Sequence, residues 1–106
     1  MRGRQVAVKF HLVFTPEARA ALTRLASSPS NAKRLRAVQK TLGLLESNPR
    51  HPSLHTHEYS KLQGPKPKDK VYEAYAENKT PAAFRVFFCY GPKPGEMTIL
   101  AITPHP

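Results

Sequence analysis

With 106 residues, the chain is long enough for one domain with its own core and too short for two. Its net charge of +10, from 17 Lys and Arg against 7 Asp and Glu, exceeds what solubility needs. It points to a polyanionic partner such as RNA, DNA, a ribosome surface or an acidic protein. The single cysteine, Cys89, excludes an internal disulfide, and no run approaches the ~20 apolar residues of a membrane span, so a cytoplasmic domain with no membrane partner is expected.

The N-terminal MRGRQVAVKFHLVF looks superficially like a signal peptide. Lys9 and His11 interrupt its apolar stretch and no small-residue cleavage site follows, so none is expected. Residues 6–14, rich in β-branched and aromatic types, read as a strand. Thr15-Pro16-Glu17 supplies an N-cap, a proline at the first helical position and an acid in the first turn. The helix that follows runs to about Ala26, with Ala18, Ala21, Leu22 and Leu25 as its apolar stripe. After Ser27-Ser28-Pro29-Ser30, a second helix runs from about Asn31 to Ser47. Leu35, Val38, Leu42 and Leu45 share one face, and Lys33, Arg36 and Lys40 another. Asn48-Pro49 ends it.

Residues 48–70 read as a long irregular connection, a length that is often functional inside a compact domain. Three strands follow: 71–76, 82–90 and 97–103. Short turns at 77–81 and 91–95 make consecutive strands antiparallel. Cys89 falls in the apolar run Val86-Phe87-Phe88-Cys89 and reads as a small hydrophobe. The charge is uneven, with an excess of +8 in residues 1–50 and +2 in residues 51–106. The expected fold is a single α+β domain over 1–106 in the order β-α-α-β-β-β. Its two N-terminal helices pack on one face of a small, mainly antiparallel sheet, and the first strand joins an edge.

This order, with the segment LLESNPRHPSLHTH, the strand FRVFF and the ending ILAITPHP, resembles the RelE/ParE toxin superfamily of bacterial type II toxin–antitoxin systems. The resemblance spans nearly the whole chain. It implies a toxin neutralised by a cognate antitoxin that covers the basic surface. In the ribonuclease branch it implies an endoribonuclease that cleaves messenger RNA, often in the ribosomal A site, and so inhibits translation. In the other main branch it implies a DNA gyrase inhibitor without nuclease chemistry, and a non-toxic nucleic-acid-binding member of the fold is a further alternative. The ribonuclease type member carries a lysine pair on the strand before the arginine strand, and a tyrosine beyond the last strand. Here Glu73 and Tyr75 stand near the lysine positions, and His105 near the end.

RNA cleavage through the 2′-hydroxyl needs a base, an acid and a cation for the phosphate, with no metal or other cofactor. Arg85 interrupts an apolar strand, so it either faces a groove as a phosphate clamp or pairs with Glu73 or Glu77. Alternation puts Arg85, Phe87 and Cys89 on one face, and Glu73, Tyr75 and Glu77 together on the neighbouring strand. Arg85, Glu73 and His105 are therefore the candidate catalytic residues, with His105 suited to general acid chemistry. His51, His55 and His57 could contact phosphate or bases, assist proton transfer, or simply form a polar loop, and no metal set is expected from them. Lys61, Lys66, Lys68 and Lys70 are expected to steer RNA. Tyr72, Tyr75 and Tyr90 either stack on bases or pack in the core, with Tyr75 the one assigned to substrate.

Overall fold

A computed structural model describes residues 9–105. Along it run β1 (His11–Phe14), α1 (Pro16–Ala26), α2 (Ala32–Ser47), β2 (His57–Glu58), β3 (Tyr72–Tyr75), β4 (Phe84–Tyr90) and β5 (Glu96–Pro104). Single 3-10 turns at Pro29–Asn31 and Pro52–Leu54 punctuate the connections. The expected first strand began at residue 6. Residues 6–8 lie outside the described part, and Lys9 and Phe10 precede β1.

The start of α1 follows from local chemistry. The Thr15 hydroxyl accepts the Ala18 N–H at 3.1 Å and donates to the Leu100 carbonyl at 2.9 Å. One side chain thus caps the helix and ties it to β5. Pro16 takes the first helical position, where no backbone N–H is needed.

The five strands lie in the order β1-β5-β4-β3-β2. β1 runs parallel to β5, and every other neighbouring pair is antiparallel. Both helices cover one face. Ala18, Ala21 and Leu25 of α1 and Val38, Leu42 and Leu45 of α2 form a single core with Ala74, Val86, Phe88, Met97, Ile99 and Ile102 of the sheet. Leu35, on the expected apolar stripe, packs at the margin of this core.

Strict alternation cannot put both Ile99 and Ile102 on one face, because they are three residues apart. A bulge resolves the conflict. Phe87 pairs with Ala101 and Phe88 with Ile99, so Leu100 is the extra residue on β5.

The main departure from expectation is in residues 48–70. Leu54 plugs into the core at 1% exposure and anchors the segment. Fully burying such a side chain contributes roughly 1.5–3 kcal/mol. His57–Glu58 then pairs with β3 as a two-residue edge strand, and the Tyr59 N–H extends the pairing to the Val71 carbonyl at 2.8 Å. Tyr59 lies across Phe87, with ring centroids 4.9 Å apart, and so covers part of the sheet face that the helices leave open.

Candidate active site

On that second face the register sets His57 opposite Glu73 and Tyr75 opposite Arg85. Alternation along β3 and β4 holds as expected. Ala74, Val86 and Phe88 enter the helical core, while Glu73, Tyr75, Arg85 and Phe87 point away from it.

Glu73 is the centre of the cluster, and only 1% of its surface is exposed. Its Oε1 lies 2.8 Å from His57 Nε2, and its Oε2 lies 2.7 Å from His105 Nδ1. The Arg85 Nε is 3.6 Å from Oε2, close enough for charge attraction but too long for a hydrogen bond. One buried carboxylate therefore gathers an edge strand, the arginine strand and the end of β5. A buried carboxylate without such partners would carry a large desolvation cost.

Each imidazole is oriented by a different second contact. His57 Nδ1 faces the His55 carbonyl at 2.7 Å. Both its nitrogens thus meet acceptor oxygens, so a proton is needed on each of the two lines. His105 is held by its backbone, whose N–H donates to the Ala83 carbonyl at 2.8 Å. Its Nδ1 is turned to Glu73, and among the described residues Nε2 has no hydrogen-bond partner. A carboxylate on Nδ1 fixes the tautomer that leaves Nε2 to accept a proton. Both rings are about half exposed, at 47% and 48%, so solvent and a ligand reach them although they do not reach Glu73.

Of the two expectations for Arg85, an open phosphate clamp or a pairing with Glu73 or Glu77, the structure shows the pairing with Glu73. The residue is 6% exposed. Its Nη1 donates to the carbonyls of Glu77 and Phe84, and its guanidinium carbon lies 3.6 Å from the centroid of the Tyr75 ring. Its Nε is buried without a hydrogen-bond partner and faces Glu73. A two-point contact with phosphate needs a free edge of the fork, and carbonyls and the tyrosine ring take up much of it here. The arrangement suits holding Glu73 and Tyr75 in place. Glu77 continues the support, because its Oε1 accepts from Arg34 Nε of α2 at 2.8 Å and from the Phe84 N–H at 3.0 Å.

The loop histidines separate. His51 accepts the Ser53 N–H through Nδ1 at 3.1 Å and so caps the turn Pro52–Leu54. His55 adopts a left-handed backbone (φ 48°), and its ring lies 5.0 Å from the Tyr75 ring. His57 alone reaches Glu73. Its link to Glu73 escapes a reading of the sequence, because two polar residues carry no strand signal.

The lysines divide too. Lys61, Lys68 and Lys70 line a groove of about 480 Å³ bounded by Tyr59 and Val71, one alternating step along the second face from His57 and Glu73. Lys66 lines a separate cavity of about 270 Å³ beside Cys89 and Tyr90. Burial pushes the Cys89 thiol up, with Asp69 adding to the effect, so the group stays protonated and unreactive. Among the described residues no group of three His, Cys, Asp or Glu could hold a metal ion. No helix among them is long and apolar enough to cross a membrane.

No family model matches the chain, and no curated protein matches it. Among solved structures it is similar to a chain of the archaeal RelE–RelB complex from Pyrococcus horikoshii OT3. The two share 18% identity with a TM-score of 0.61, over 91% of this chain and 94% of that one. The chain thus has a RelE-like α+β fold, two helices against a mixed five-stranded sheet.

Proposed function

We propose that the chain is the toxin of a type II toxin–antitoxin pair and cleaves messenger RNA without a metal ion. The observation that carries this reading is Glu73, one buried carboxylate holding two half-exposed imidazoles, one on each oxygen. Paired histidines oriented in this way are suited to moving one proton to, and another from, a reacting phosphodiester.

In the proposed reaction His105 Nε2 takes the proton of the 2′-hydroxyl. The 2′ oxygen attacks phosphorus, and the bond to the 5′ oxygen breaks. His57, protonated on both nitrogens, keeps Nε2 on Glu73, releases the His55 carbonyl and gives its Nδ1 proton to that leaving oxygen, stabilising the charge on the phosphate meanwhile. The products are a 2′,3′-cyclic phosphate and a 5′-hydroxyl, and solvent exchange returns both rings to their starting state. Glu73 orients the rings, and Arg85 fixes Glu73 and Tyr75. Tyr75 and His55 offer a stacking surface for a base. The groove of Lys61, Lys68 and Lys70 guides the flanking phosphates.

The exposed cations of α2, Lys33, Arg36 and Lys40, lie on the far side of the molecule and suit docking to a polyanion such as the ribosome. The structural neighbour holds RelE together with RelB, and we extend that pairing to an antitoxin partner for this chain.

The test is incubation of free message in EDTA and of ribosome-bound message in Mg²⁺ buffer. Wild type should cleave and Glu73→Gln should not. Intact message with wild type, accompanied by inhibition of DNA gyrase, would favour the non-nuclease reading instead.

A further inference from the structure

A second groove lies at the same edge of the sheet, and of its lining residues the chemistry above uses only His57. It encloses about 310 Å³ between Pro49, Arg50 and Thr56 on one wall and Tyr72 and Tyr90 on the other, with His57 at its rim. The first wall is rigid for a loop. The Thr56 hydroxyl donates to the Pro49 carbonyl at 2.9 Å, and the Arg50 N–H donates to Asn48 Oδ1 at 3.2 Å.

The second wall is aromatic. Tyr90 lies edge-on to Tyr72 at 5.5 Å, and Tyr72 stacks on Phe88 at 5.6 Å. Phe10 also packs against Tyr90, with ring centroids 5.5 Å apart. Despite these contacts Tyr90 is 43% exposed, the one large hydrophobic side chain that the described residues leave open. Burial and the neighbouring Tyr72 push its phenol up, while Arg50, which lines the same groove, pulls it down.

An exposed ring on a rigid support, with an arginine across a narrow groove, fits a flat π-face attached to a phosphate. The charge of +10 favours nucleic acid over a neutral peptide. The groove is also continuous with the Glu73 cluster. His57 lies on the edge strand, lines this groove and carries its ring to Glu73 on the opposite face. A single strand passing over that edge would therefore meet both places within a nucleotide or two.

We infer that the groove between Arg50 and Tyr90 is a base-binding subsite for single-stranded RNA, in which one base stacks on Tyr90 and its phosphate meets Arg50. The choice of RNA as occupant rests on the nuclease reading, while the stacking geometry does not.

The test uses a fluorescent hexanucleotide with 2′-O-methyl groups throughout, so that binding is read whether or not the chain cleaves. Anisotropy should show Tyr90→Ala weakening binding about tenfold, with Tyr90→Phe restoring it to within about twofold. Arg50→Gln, a change at an exposed side chain outside the core, should weaken binding and flatten its salt dependence, and it carries the test if Tyr90→Ala fails to fold. Affinity unchanged in both Tyr90→Ala and Arg50→Gln overturns the subsite. So does a proline-rich peptide that perturbs Tyr90 in NMR spectra where the oligonucleotide does not. Binding that depends on Tyr90, in a protein that never cleaves RNA, leaves the subsite standing and removes the nuclease reading. Cleavage with binding indifferent to Tyr90 does the reverse.

Discussion

Replacing Glu73 by glutamine removes one charge and almost no volume. The amide has one oxygen, so it can accept from only one of the two imidazoles that the carboxylate now holds at 2.8 and 2.7 Å. The other ring meets an N–H group and keeps its place only as the neutral tautomer whose facing nitrogen accepts, so it no longer holds the proton that the carboxylate secured there. Arg85, 6% exposed, loses the carboxylate 3.6 Å from its Nε and is left as a buried cation with only carbonyls and the Tyr75 ring around it. Breaking a buried ion pair from one side costs about 3–5 kcal/mol. The lower end applies here, because the two imidazoles are half exposed and recover water when released. A loss of about 3 kcal/mol lowers Tm by roughly 10–20 °C in a domain of this size. Urea unfolding followed by circular dichroism reads the stability. Single-turnover cleavage, well below the new Tm, should fall by about 10² to 10⁴ as the rings lose the tautomer and the charge that the carboxylate sets. If Glu73→Gln keeps wild-type stability and wild-type cleavage, Glu73 does not hold the cluster together and the site lies elsewhere.

The remaining expectations separate the fold from the chemistry. His105→Ala and His57→Ala should each reduce cleavage about a hundredfold or more and cost about 1–3 kcal/mol of stability, since each removes one hydrogen-bond partner from the buried Glu73 carboxylate. Phe88→Ala should cost about 3–5 kcal/mol in urea unfolding, because Phe88 is fully buried at the centre of the core. The triple change of Lys61, Lys68 and Lys70 to Gln should lower the slope of log affinity against log salt by about 2 for single-stranded RNA, and Lys66→Gln alone should have a smaller effect. Cys89 should react with a thiol reagent near pH 8 only as fast as the protein unfolds, since burial both shields the thiol and keeps it protonated.

Much of this molecule was legible from its residues because local signals agree with the tertiary packing. Thr15-Pro16-Glu17 marks the start of α1, and the structure begins it there. Val38, Leu42 and Leu45 announce the buried face of α2. The period-two alternation grouped Arg85 with Phe87 and Glu73 with Tyr75, and the strand register puts the two sets on one face. The features that escaped prediction have no local signature. β2 is two polar residues, and it exists because Tyr59 and Val71 continue its pairing and Leu54 anchors what precedes it. The bulge at Leu100 appears only when both Ile99 and Ile102 must face the helices. Without β2, nothing in the sequence could separate His57 from His51 and His55. Arg85 was legible as an unusual residue, but its burial beneath Tyr75 and its carbonyl partners come from long-range geometry. The exposed cations of α2 and the candidate chemistry thus occupy different parts of the fold.

End-group mapping of the cleaved RNA tests the central claim most directly. Purified wild type and His105→Ala are incubated with ribosome-bound message in Mg²⁺ buffer and with free message in EDTA, and the fragment ends are identified by mass spectrometry. Wild type should leave 2′,3′-cyclic phosphate and 5′-hydroxyl ends, and His105→Ala should leave the message intact. Fragments ending in a 5′-phosphate, or equal cleavage by both proteins, would contradict proton transfer by the imidazoles that Glu73 holds.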